Sequence, residues 1–142
     1  MPLMHKVPRV AVLLLALWCL GASASQGNEA ASLEIHFVPE DMLTTVQLDP
    51  ALFESYHIGM VSFADRSVAS DLWQRARADI VGHDSVGADV RWGVKIFGQN
   101  GGLLGEYYVD KWGTSGYANG AHAQFGGELH RWLKAHVLLF ND

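Results

Sequence analysis

The chain has almost no cysteine: a single residue, Cys19, in 142, placed inside an apolar run near the N-terminus. Beyond that run there is no thiol, which excludes disulfides, thiolate nucleophiles and cysteine-ligated metals from the rest of the chain. Basic residues are also sparse. Ten Lys and Arg stand against fifteen Asp and Glu, for a formal charge of −5. Past residue 24 the cations are Arg66, Arg75, Arg77, Arg91, Lys95, Lys111, Arg131 and Lys134, spread among acids. A polyanion must be met by clustered cations, so no nucleic acid partner is expected, and anionic lipid is disfavoured for the same reason. Internal repeats and low-complexity tracts are missing too. No apolar run reaches the ~20 residues that a spanning helix requires.

The N-terminal run has another reading. Lys6 and Arg9 precede uncharged apolar residues 10–19, and Ala22-Ser23-Ala24 offers the small residues a signal peptidase accepts. Residues 1–24 are therefore expected to be a cleaved signal peptide, with no permanent membrane anchor after cleavage and a periplasmic or secreted product. Bulky Trp18 before Cys19 argues against lipid attachment. Residues 25–31 read as a flexible leader and 32–142 as a single α+β domain. Without residues 1–24 the chain keeps eight basic and fifteen acidic residues, a formal charge of −7. That balance favours encounter with a basic protein partner.

Periodicity supplies the elements. Leu33, Ile35 and Phe37 alternate with polar residues, as do Thr44, Val46 and Leu48 in their segment, which predicts two half-buried strands with Pro39-Glu40-Asp41 turning between them. Asp49-Pro50 signals the start of a short helix to residue 56, and residues 58–63 return to strand. Ala69, Leu72, Trp73, Ala76 and Ile80 form one helical stripe over 67–80, with Asp71, Arg75 and Asp79 spaced for ion pairs on the other side. Val90, Trp92, Val94 and Ile96 alternate through the clearest strand, and Gln99 to Gly102 turns it into a partner at 103–109. Asn119-Gly120 marks a second hairpin, because a two-residue turn needs positive φ at both positions. Leu129, Trp132, Leu133 and His136 open a closing amphipathic helix reaching toward Phe140. The expected fold is α+β: a mainly antiparallel sheet of about five to six strands with two amphipathic helices packed on one face. The strand at 33–37 and that of Tyr117 are candidate free edges.

Chemistry is harder to find. His130 and His136 lie six apart, about 240° around a helix, so they cannot share an ion; no metal and no cofactor is expected. His36 shares the polar face of its strand with Glu34. His83-Asp84 pairs a base with an acid in a Gly-flanked loop, with Ser85, Thr114 and Ser115 as the only nearby hydroxyl candidates, and loop polarity explains these residues without catalysis. No Gly-x-Ser-x-Gly elbow is present. Glu106 and Asp110, four apart on a strand, stand roughly 13 Å apart, beyond either glycosidase spacing.

The densest polar and aromatic cluster is Glu106, Tyr108, Asp110, Lys111, Trp112, Tyr117 and Asn119. Tyr107 belongs with Leu103 and Val109 on a core face, leaving Glu106, Tyr108 and Asp110 on an opposite, more exposed one. Tyr and Trp with polar neighbours suit recognition. These features point to a small exported non-catalytic binding protein of the inhibitor or immunity type, acting on a protein of the cell envelope or secreted space. A glycan or small-ligand module, with Tyr108, Trp112 and Tyr117 stacking on a ring, is the alternative, and an enzyme with a site assembled from distant loops the third.

Overall fold

The computed structural model describes residues 28–83 and 87–137. The expected signal peptide, residues 25–27 of the leader, Asp84, Ser85 and the helix end at Phe140 lie outside them. The described residues form one seven-stranded antiparallel sheet with three helices. Its strands are β1 (Ala30–Phe37), β2 (Gly59–Phe63), β3 (Ile80–Gly82), β4 (Val90–Gly98), β5 (Leu103–Asp110), β6 (Ser115–Ala118) and β7 (Ala121–Phe125), in the order β2-β1-β4-β5-β6-β7-β3. The helices are α1 (Pro50–Tyr56), α2 (Arg66–Ala78) and α3 (Glu128–His136). The α+β class and the antiparallel sheet are as expected. The sheet has seven strands where about five to six were expected, β3 directly after α2 among them, and the short helix expected up to residue 56 is α1, the third beside the two packing helices.

The first face of the sheet is an apolar core. Leu33, Ile35 and Phe37 of β1, Trp92, Val94 and Ile96 of β4, and Tyr107 and Val109 of β5 pack against Ala69, Leu72 and Ala76 of α2 and Leu129, Trp132 and Leu133 of α3. Asp65 starts α2 by accepting from the Val68 amide at 3.0 Å. The helix ends before Asp79, so Ile80, which completes the helical stripe in sequence, instead opens β3 opposite Phe125. His136 is exposed and not packed in the core, its ring stacked on Trp132 at 3.9 Å. Helix α3 has no cap of its own: Gly127 sits at φ 94° with no side chain to offer. The buried Asp79 carboxylate supplies the cap from a distance, accepting the Glu128 and Leu129 amides at 3.0 Å each.

The second face carries a smaller cluster of Val38, Leu48, Phe53, Val90 and Tyr108. Helix α1 covers it, so only α2 and α3 share a face as expected. Asp49 caps α1, accepting the Leu52 amide at 2.8 Å, and Pro50 takes the first turn. Val90 does not share a face with Trp92 as alternation suggests. One extra residue in β4 between Val90 and Trp92 bulges the strand against β5 and turns Val90 to the second face.

The strand expected at residues 44–48 does not form, and Val46 is exposed. The reason is Arg91. Its buried guanidinium donates to the Met42 carbonyl at 3.0 Å, to Thr44 Oγ1 at 3.3 Å and to Asp89 at 2.7 Å, holding the segment as a loop. Glu40 pins the other end of the loop by accepting from Trp92 Nε1 at 3.0 Å and lying 2.6 Å from His130 Nε2 and 3.1 Å from Lys134 Nζ. β1 begins at Ala30, so residues 30 and 31 of the expected leader are strand. β1 and β6 are interior; the sheet edges are β2 and β3.

Candidate functional site

Strand alternation and register place two rows of side chains on the second face. Glu34 pairs with Lys95, and Lys95 with Glu106. In the adjacent row His36 pairs with Gly93, Gly93 with Tyr108, Tyr108 with Tyr117, and Tyr117 with His122. Gly93 is the gap in this row. A Cβ there would come within 2.7 Å of the Phe53 ring and 2.9 Å of the Tyr108 ring, so its hydrogen lets α1 settle onto the sheet. Phe53 then meets Tyr108 edge to face at 5.8 Å.

That seating lowers Glu54 into the polar rows. One carboxylate oxygen accepts from the Tyr108 hydroxyl at 2.9 Å and lies 3.1 Å from Lys95 Nζ. The other lies 3.0 Å from His36 Nδ1. His36 is buried, with Nε2 3.3 Å from Glu34. Its ring stacks on His57 at 4.5 Å, and His57 Nδ1 lies 3.0 Å from the Glu54 carbonyl oxygen. Burial by itself would raise the pKa of Glu54, but the bonds from Tyr108 and Lys95 and the charge of His36 outweigh it and hold the carboxyl below its ordinary value. Burial, reinforced by the carboxylates of Glu54 and Glu106, pushes the Tyr108 phenol well above its ordinary value. Tyr108 is therefore a fixed hydrogen-bond donor.

Beside this network opens a concavity of about 330 Å³ lined by Asp49, Pro50, Ala51, Glu106, Tyr108, Tyr117 and Gly120. Two acidic residues, Asp49 and Glu106, and two tyrosines are among its lining. Of the seven residues singled out in sequence, it collects Glu106, Tyr108 and Tyr117. Tyr108 is 4% exposed, against the expectation of an exposed position, because α1 covers it. Asn119 occupies the hairpin turn at φ 50° and locks β5, its side-chain oxygen accepting the Glu106 amide at 2.9 Å.

Asp110, Lys111 and Trp112 belong to a separate turn. Asp110 Oδ1 accepts the amides of Trp112, Thr114 and Ser115 at 3.2, 3.1 and 3.4 Å, which makes it the turn's organiser. The Lys111 ammonium lies over the Trp112 ring at 4.7 Å, and Trp112 is 69% exposed. Comparison with protein-family models, curated proteins and solved structures finds no match to this chain.

Sequence reasoning missed Glu54, His57, Lys95 and Asp49. Only Asp49 had a local signal, as a helix cap; the others become neighbours through the seating of α1 on β1 and β4. Among the described residues one cluster could hold a metal: His36, Glu54 and His57 each present a donor atom within 4.8 Å of the others. Exposed His83 lies 3.2 Å from the His122 carbonyl oxygen, which ties the loop after β3 to β7.

Proposed function

We propose that this is a small exported, non-catalytic binding protein whose acidic, tyrosine-walled concavity receives a basic side chain of a protein partner in the cell envelope or secreted space. The observation that carries the reading is the convergence of Asp49 and Glu106 with Tyr108 and Tyr117 on one open concavity. A guanidinium or ammonium entering it meets acidic side chains for charge-assisted bonds and the partly exposed Tyr117 ring for cation–π contact. The excess of acidic over basic residues supports the same partner, because it draws a cationic surface into encounter. An inhibitor or immunity protein blocking a basic hydrolase acts in this way.

The test is capture of a companion protein from the envelope of the native host by the tagged chain, with Glu106→Gln and Trp112→Ala beside it. One companion at 1:1, retained at low salt, released at high salt and lost with Glu106→Gln, supports the reading. Recovery of the chain alone overturns it. Trp112 is the exposed aromatic of the separate turn at Asp110, so quenching of its fluorescence by cell-wall fragments, abolished in Trp112→Ala, would shift the assignment to a glycan-binding module.

A further inference from the structure

Helix α1 and its C-cap residue bring Glu54 and His57, three residues apart, to one side, and the sheet brings His36 to meet them. Glu54 Oε2 lies 3.0 Å from His36 Nδ1 and 3.9 Å from His57 Nδ1. A tetrahedral ion with ligands at about 2.0–2.1 Å needs its donors about 3.4 Å apart, and these two distances straddle that value. We propose that His36, Glu54 and His57 form a binding site for a divalent transition-metal ion of the Zn²⁺ type.

The donor chemistry selects the ion. Two imidazole nitrogens and one carboxylate suit Zn²⁺, Cu²⁺ or Ni²⁺ and not the hard Mg²⁺ or Ca²⁺, which favour all-oxygen shells. The surroundings supply what a ligating histidine requires. With Nδ1 of His36 turned to the ion, Nε2 keeps its contact with Glu34 at 3.3 Å, the carboxylate partner that fixes tautomer and ring orientation. The scaffold is rigid: β1 is an interior strand, and α1 is fixed by the Asp49 cap and by Phe53 packing over Gly93. Access is open as well, since the Glu54 and His57 side chains are each 27% exposed.

Loading requires His57 Nδ1 to leave the Glu54 carbonyl and turn toward the carboxylate. Lys95 opposes the ion, because its ammonium lies 3.1 Å from the second oxygen of Glu54. Removing that charge therefore tightens binding, provided the three ligands stay in place. This separates ligation from simple integrity of the network, in which Lys95 and Glu54 are equal partners.

The purified full chain, without a histidine tag, is titrated with Zn²⁺ against a chromophoric chelator at neutral pH, with Mg²⁺ as the hard-ion comparison. The expected result is 1:1 Zn²⁺ binding at micromolar protein, with ring-proton NMR shifts at His36 and His57 and no response to Mg²⁺. Glu54→Gln and His57→Ala each weaken binding by at least the roughly 10–100-fold that loss of even an outer-shell partner costs. Lys95→Met binds as tightly as the parent or more so. The proposal falls if His57→Ala and Glu54→Gln both bind Zn²⁺ like the parent, which would mean adventitious surface coordination. It falls equally if Lys95→Met loses affinity as far as Glu54→Gln does. Circular dichroism of each variant before titration confirms that the fold is intact.

Discussion

The two faces of one sheet are built on different principles. The first is covered by α2 and α3 over a continuous apolar layer from Leu33 to Leu133. The second is covered by the seven residues of α1 and a loop, and its middle is a polar lattice in which Glu54 ties β1, β4 and β5 together. Apolar burial scales with area and tolerates small errors of placement. Hydrogen-bonded ions do not, because each unpaired buried group costs as much as several good contacts gain. The first face thus supplies stability, and the second supplies defined positions for chemical groups.

The largest expected effect tests the first face alone. Leu72→Ala removes a fully buried side chain under α2 and should cost about 2–5 kcal/mol in urea unfolding, with the Tyr108 environment unchanged by NMR. Gly93→Ala should do the reverse. Its Cβ collides with Phe53 and Tyr108, and overpacking of this kind costs about 1–3 kcal/mol. Hydrogen exchange should rise in α1 while the amides of α2 and α3 stay protected. If α1 loosens together with α2 and α3, the faces are not independent.

Tyr108→Phe keeps the ring and removes one hydroxyl from the lattice. The expected loss is about 1 kcal/mol, small beside either packing variant. The smallest effect is a pH slope. Glu54 and Glu40 both have carboxyl pKa values held below the ordinary 4.5, where burial would raise them but hydrogen bonds and neighbouring cations prevail. A group depressed in the folded state adds stability that is complete above its unfolded pKa and is lost as pH falls through the lower folded value. Stability should decline below about pH 4.5, and Glu40→Gln with Glu54→Gln should flatten that decline in acid titrations followed by circular dichroism.

The first face was legible in the sequence and the second was not. Alternation through Trp92, Val94 and Ile96 and the stripe of Ala69, Leu72 and Ala76 report burial on one side, and burial is a local, periodic signal. The Asn119-Gly120 turn and the Asp49-Pro50 helix start were readable because backbone conformation restricts residue type locally. Thr44, Val46 and Leu48 show the same alternation as a strand, yet Arg91, more than 40 positions away, takes the polar groups of that segment. Val90 failed through a one-residue bulge, which no periodicity displays. The candidate site divided in the same way. Glu106, Tyr108 and Tyr117 were grouped because they stand close in sequence on either side of a short Gly-rich connection, whereas Glu54 and His57 belong to a helix and its C-cap too short to carry an amphipathic pattern.

Asp79 links the end of α2 to the first turn of α3 across 49 and 50 positions of chain. A helix whose cap is borrowed cannot be complete until the ends of that long loop have met, and loop closure of this length carries an entropic barrier that grows only slowly with size. Helix α3 is therefore expected to form late in folding. Truncating Asp79 should leave the folding rate nearly unchanged and quicken unfolding, a φ-value near zero at an acid that is buried among the described residues.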